Sequence, residues 1–271
     1  MIALRALVVV VIVLAPAGAL AADPVRVHAA GSLRAVVRAL GEAFTGATGV
    51  PVQPEFGASG LLRERLERGE AGDVFMSANL EHPARLAREG KAFAVVLFTR
   101  NELCALARRE LGVTPASLLD RMLDPAVRLG TSTPRADPSG DYAWEVFRKS
   151  EAVRPGSRTR LEAKALQLVG SPGSPPAPAD RSIYTVLLEG GRADLILTYC
   201  TTAVQGAREF PGAESMALPP ELRVGADYGL TVLTGARLEP ALRWVLFVLS
   251  PDGQAILERF GFGAPTRPAP G

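Results

Sequence analysis

The chain has 271 residues, with 30 Lys and Arg against 28 Asp and Glu. This near-balance, with charges scattered as in Arg63-Glu64-Arg65, gives no reason to expect nucleic acid as a partner. At 48% hydrophobic residues, the chain can build a real core.

The first segment reads as a secretory leader. Arg5 precedes an apolar run from Ala6 to Leu14, and Ala19-Leu20-Ala21 is a small-x-small cleavage pattern. Residues 1–21 are therefore expected to be removed, and the protein to be exported to the periplasm. The apolar run is short for a membrane span. No cysteine stands at the cleavage point to suggest lipidation, and no later run is long enough to cross a membrane.

Strand and helix signals then alternate. Val25–Ala29 reads as a strand, and Leu33, Val36, Val37, Leu40 and Phe44 fall at helical spacing. A strand at Val50–Pro54, a helix carrying Leu61, Leu62 and Leu66, and a strand at Asp73–Ser77 follow. Pro83 fits the first turn of a helix closed by Gly90. Val95–Phe98 and Cys104–Ala107 read as two strands. Beyond them come a helix at Ser117–Leu123, a strand at Arg128–Ser132, and helices at Tyr142–Lys149 and Leu161–Leu168. Ser171–Ala179 holds four prolines and reads as a loop. Arg181–Glu189 reads as helix; Ala193–Cys200, Ser215–Leu218 and Tyr228–Leu233 as strands; Leu238–Leu249 and Pro251–Phe260 as closing helices. This order predicts an α/β fold with mostly parallel sheets flanked by helices.

Three turns that lead into helices carry a serine: Gly31-Ser32, Ala58-Ser59-Gly60 and Asp137-Pro138-Ser139-Gly140. A helix N-terminus offers unpaired N–H groups and partial positive charge, so it suits an anion. Serine adds a short, stiff hydroxyl donor. Asp137 is expected to cap its helix with Pro138 at the first position, leaving the Ser139 and Gly140 N–H groups free for a ligand. Arg34 and Arg181 could add charge, but each reads more readily as a surface arginine; His28 reads as packed. Cys104 and Cys200 favour one disulfide in an exported protein, with two buried thiols as the alternative. Two histidines, neither near a cysteine in sequence, offer no zinc-site spacing.

Several segments, in order, resemble the periplasmic molybdate-binding proteins of ABC transporters. These are Ala29-Ala30-Gly31-Ser32-Leu33; Phe56-Gly57-Ala58-Ser59-Gly60 followed by Gly72-Asp73-Val74-Phe75-Met76-Ser77-Ala78; Asp194-Leu195-Ile196-Leu197-Thr198-Tyr199-Cys200-Thr201; Tyr228-Gly229-Leu230; and Leu249-Ser250-Pro251-Asp252-Gly253-Gln254 through Gly261-Phe262. The resemblance implies a two-lobed periplasmic binding protein fold with the ligand in the interlobe cleft. Lobe one would be residues 23–100 plus 227–271, and lobe two residues 101–226. It places the oxyanion ligands at Ser32, Ser59, Ser139, the backbone near Arg181, and Tyr199. The chain departs from the pattern at Gly31, where a second serine is frequent, at Thr202, where an aspartate is frequent, and at Cys200.

The expected function is capture of molybdate, or tungstate, and delivery to an ABC permease in the inner membrane. The expected protein is a monomer with no cofactor and no bare metal cation, molybdenum being held as its oxyanion. Sulfate or phosphate is the alternative ligand, and phosphate would gain if Asp137 or Asp141 pointed into the cleft. A serine hydrolase is the remaining reading; it lacks a Gly-x-Ser-x-Gly elbow and a recognisable histidine partner.

Overall fold

The computed structural model describes residues 22–176, 178 and 181–266; the expected leader lies outside them. The strands are β1 (Val25–Ala30), β2 (Val52–Gly57), β3 (Val74–Ser77), β4 (Val96–Arg108), β5 (Leu129–Ser132), β6 (Leu166–Val169), β7 (Leu195–Tyr199), β8 (Ala213–Ala217) and β9 (Gly225–Val232). The helices are α1 (Arg34–Thr48), α2 (Ser59–Glu67), α3 (Glu81–Arg88), α4 (Leu118–Leu123), α5 (Pro138–Val153), α6 (Ser157–Lys164), α7 (Ile183–Glu189), α8 (Cys200–Glu209), α9 (Leu238–Leu249) and α10 (Pro251–Arg259).

The strands join in the order β2-β1-β3-β9-β4-β7-β5-β6, with β8 also on β4. Parallel pairing holds within β2-β1-β3 and within β7-β5-β6. The strands between them, β9 and β4, pair antiparallel with their neighbours. The result is the two-lobed periplasmic binding protein fold, each lobe an α/β layer, with β4 and β9 running between the parallel sets.

The apolar spacing read along α1 is its buried face. Leu33, Val36, Val37, Leu40 and Phe44 are all at most 1% exposed, and Gly49 at φ 72° ends the helix in the left-handed region that suits glycine. Phe44 meets Trp244 of α9 edge-on at 5.4 Å. Each such fully buried side chain contributes about 1.5–3 kcal/mol relative to exposure.

Three elements depart from the sequence reading, one of them α8, a helix that begins at Cys200, the residue expected to end the preceding strand. The expected strands at Val95–Phe98 and Cys104–Ala107 are one strand, β4. The polar stretch Thr99-Arg100-Asn101-Glu102 looked like a break, yet it pairs with Tyr228, Asp227, Ala226 and Gly225 of β9. Three of its four side chains have partners too. Thr99 Oγ1 donates to the Gly263 carbonyl at 2.9 Å, Arg100 Nε to Asp227 Oδ1 at 2.8 Å, and Asn101 Nδ2 to Thr201 Oγ1 at 2.9 Å. From Leu103 onward β4 pairs with β7, and from Cys104 with β8. The expected helix at Leu161–Leu168 ends at Lys164, and Leu166-Gln167-Leu168-Val169 is strand β6, parallel to β5. Ala165, at φ −63° and ψ 122°, leaves the helical region there. The period-2 pairing of Leu166 and Leu168 was masked by their closeness to a helical segment.

Cys104 of β4 and Cys200, the first residue of α8, form a disulfide with their Cα atoms 4.7 Å apart. The bridge lies beside the β4–β7 register pair Leu103–Tyr199. It closes a loop of 96 residues, for which chain entropy gives a stabilisation of up to about 4–5 kcal/mol. Reduction should lower the melting temperature, read by calorimetry with and without a thiol reductant. An unchanged melting temperature in protein whose thiols titrate as fully reduced would contradict this.

Candidate functional site

The turns that follow β1, β2, β6 and β7, with the segment ahead of α5, open onto one cavity of about 500 Å³. These are C-terminal ends of parallel strands, where open α/β sheets place ligands. Ser32, Ser59, Arg181 and Tyr199 all line the cavity; Ser139 does not.

Ser59 opens α2 and has no exposed surface outside the fold's packing. Its Oγ accepts from the Ala78 N–H at 3.1 Å, which leaves its own proton available for a ligand. The helix-flanking position belongs to Ala58, so Ser59 ties α2 to the end of β3 instead of capping. Gly60 is required by close approach. A Cβ there would stand 2.5 Å from the Arg135 carbonyl oxygen and 2.6 Å from that of Ala136. The Gly60 N–H donates to Ala136 at 2.9 Å, joining α2 to the segment ahead of α5.

Ser32 follows β1, and its Oγ lies 3.0 Å from Tyr228 Oη on β9. Tyr199 ends β7, 3% exposed, with its ring edge-on to Tyr228 at 5.5 Å and to Tyr142 at 6.2 Å. Tyr199 Oη is buried and has no hydrogen-bond partner among the described residues. Burial, with the neighbouring Tyr228 and Asp137, pushes its pKa well above the ordinary phenol value. At neutral pH it is a neutral hydroxyl on a residue that lines the cavity.

The segment around Ser139 differs from expectation. Asp137 caps α5, and Pro138 takes the first helical position. The Ser139 N–H donates to Asp137 Oδ1 at 3.1 Å, and the Gly140 N–H to the Asp137 carbonyl at 2.8 Å. The two N–H groups expected to be free are consumed by the cap itself. Ser139 Oγ is buried without a partner among the described residues. Arg181 reaches the rim, where it pairs with Glu189 at 2.8 Å, and the adjacent Ser182 N–H donates to Glu209 Oε2 at 2.9 Å.

The cavity wall holds further residues that the sequence did not single out as ligands. Asp137 lines it while capping α5. Protein surrounds its carboxyl, and this burial pushes its pKa up to about 6, with the Asp141 charge adding and the Ser139 N–H and Ser132 hydroxyl opposing. Tyr184 also lines the wall, its phenol 2.6 Å from Ser132 Oγ. Arg34 and Arg38 of α1 stand over the Phe56 ring, 4.7 and 5.9 Å from its centroid. The sequence offered the Asp137 cap and weighed Arg34 as a source of charge; both arginines meet Phe56 because β2 brings it beside α1.

The arrangement suits anion capture by neutral donors, since hydrogen bonds to an ionised acceptor are roughly twice as strong as neutral ones. Among the described residues, no histidine or cysteine lines the cavity, so the serines there have no imidazole base beside them. His28, Glu55 and Glu70 are the described residues grouped closely enough to hold a cation. They lie outside the cavity lining, and Arg65 pairs with both glutamates.

Two outcomes follow from this geometry. Ser59→Ala should weaken oxyanion binding by about 1.5–3 kcal/mol, the range for a hydrogen bond to a charged group, read by calorimetric titration; it also leaves the Ala78 N–H unpaired, lowering stability by roughly 1–3 kcal/mol. Lost stability with full affinity would remove Ser59 from the site. Asp137, with its carboxyl pKa raised to about 6, is ionised at higher pH and repels an anion. Affinity should therefore rise as pH falls from about 8 through 6, and Asp137→Asn, which retains a capping oxygen, should flatten that dependence. An unchanged pH profile in the variant would place the titrating group elsewhere.

Residues 25–263 match the family described as bacterial extracellular solute-binding protein. A relative from Pasteurella multocida (strain Pm70), the uncharacterized protein PM1146, is 35% identical over 240 residues, covering 88% of this chain and 97% of that protein. Among solved structures, the periplasmic molybdate-binding protein of Azotobacter vinelandii superposes with a TM-score of 0.73 at 18% identity, covering 89% of this chain and all of that one. The sulfate-binding protein SubI of Mycobacterium tuberculosis H37Rv reaches a TM-score of 0.73 at 19% identity, covering 89% and 86%. These two likenesses are of fold, and their different ligands show that the fold alone does not select the anion. With the match spanning nearly all described residues, the chain belongs to the bacterial extracellular solute-binding protein family.

Proposed function

We propose that the protein is a periplasmic binding protein that captures a tetrahedral oxyanion, molybdate first and tungstate with it, and delivers it to an ABC permease in the inner membrane. The observation that carries this reading is the convergence of neutral donors on one cavity. Ser59 retains a free hydroxyl proton, and Tyr199 Oη is buried with unused hydrogen-bonding capacity. Ser59 follows β2 and Tyr199 ends β7, so the two come from opposite parallel sets of the sheet. The proposed lobes, 23–100 plus 227–271 and 101–226, meet where β4 exchanges β9 for β7 as its partner, between Glu102 and Leu103. Closure about that crossing would bring Tyr199 toward Ser59.

A second ligand has one observation in its favour. Hydrogen phosphate carries a proton at neutral pH, and Asp137 supplies an acceptor in the cavity wall. Molybdate and tungstate carry no proton there and gain nothing from that carboxylate.

A thermal-shift panel separates these readings. A ligand bound only by the folded state at a hundredfold excess over its Kd adds about 2.7 kcal/mol, which for a chain of this size raises the melting temperature by roughly 5–10 °C. Molybdate and tungstate should give shifts of this order, and sulfate less at equal concentration. A larger shift with phosphate or sulfate would reassign the anion, and no shift with any of the four would overturn the oxyanion reading.

A further inference from the structure

We propose that the mouth of the cleft is a second anion subsite, built from Arg34 and Arg38 over Phe56, which lets the cleft accept an organic acid joining an oxyanion head to a carboxylate. The proposal rests on the deep end being an oxyanion site.

Arg34 and Arg38 are one turn apart on α1, which puts their guanidinium groups on the same helix face. Like charges at this spacing oppose helix stability unless something compensates. Part of the compensation is Phe56, which Arg34 covers at 4.7 Å and Arg38 at 5.9 Å. Arg34 is half-buried, and its surroundings disfavour its charge: burial first, then Arg38, push its pKa down. Several arginines of the chain are placed differently. Arg63 pairs with Glu67, Arg65 with Glu55 and Glu70, and Arg237 with Asp73. Among the described residues, no carboxylate lies within ion-pair distance of Arg34, whose recorded contact is with an aromatic ring. A half-buried cation next to a second cation, facing a cavity, is stabilised by an anion that enters it.

The cavity has room for one. A four-oxygen anion displaces about four waters of roughly 30 Å³ each, a fraction of the 500 Å³ present. The whole volume falls among pockets that hold small organic molecules, about 300–1,000 Å³. The lining also carries the apolar side chains of Ala35, Phe56, Ala58 and Leu61. That surface fits a short carbon linker. A planar guanidinium fork matches a carboxylate in a bidentate pair, and a carboxylate is the second group proposed here.

Calorimetric titration with phosphonoacetate and methylphosphonate tests this, since the two share a head and differ by the carboxylate. Molybdate is titrated in parallel to report the deep site alone. Phosphonoacetate should bind at least about tenfold more tightly than methylphosphonate, and Arg34→Gln should bring that ratio close to one, with Arg34→Lys in between because it keeps charge but loses the fork. Melting curves of the unliganded variants confirm that each is folded. Equal binding of the two phosphonates, or a ratio unchanged in Arg34→Gln, overturns the subsite. If molybdate still binds in that case, the oxyanion reading stands without it; if no anion binds at all, both fall together.

Discussion

The structure depends on one long strand. β4 is paired along its first half with β9 and along its second half with β7 and β8, so a single run of backbone hydrogen bonds belongs to both parallel sets. Because those sets flank it, the loops after β1, β2, β6 and β7 reach the same cavity. The strand can carry polar residues through the middle of the molecule because three of them find partners: Thr99 on Gly263, Arg100 on Asp227, Asn101 on Thr201. A buried polar group costs little when it is hydrogen-bonded. The disulfide adds a covalent tie at the point where β4 meets the strand that ends in Tyr199.

Each parallel set is also braced by a buried aspartate ahead of an inner strand. Asp73 accepts from the Arg26 backbone N–H at 2.8 Å and pairs with Arg237 at 2.9 Å. Asp194 accepts from the Arg128 backbone N–H at 2.8 Å and from Arg128 Nε at 2.8 Å. Both sit at the end of the sheet away from the cavity, where they fix the strands that deliver residues to it. Many charged groups of this fold are thus spent on structure, and the cavity wall offers neutral hydroxyls and phenols alongside the Asp137 carboxyl.

Much of this was legible in the sequence for local reasons. The burial of Leu33, Val36, Val37, Leu40 and Phe44 follows from 3.6-residue spacing, and the Asp137 cap follows from Asp-Pro at a helix start. The serine-bearing turns at Ser32 and Ser59 reach the cavity because helix starts after parallel strands point that way. What was illegible depends on distant partners. Polar Thr99–Glu102 becomes a strand only because β9 lies alongside. The Ser139 and Gly140 N–H groups looked available, but the cap that identifies them also uses them. Arg34 reads more readily as a surface arginine and Arg38 is not singled out, since nothing nearby in sequence announces Phe56 as their platform.

The proposed oxyanion lies between Ser59 and Tyr199. Anomalous diffraction from crystals grown with molybdate locates it directly, because molybdenum marks its own position. A single strong anomalous peak is expected inside the cavity, with oxygens of the anion within hydrogen-bond distance of Ser59 Oγ and Tyr199 Oη. A peak confined to the protein surface, or to the His28–Glu55–Glu70 cluster, would contradict this placement.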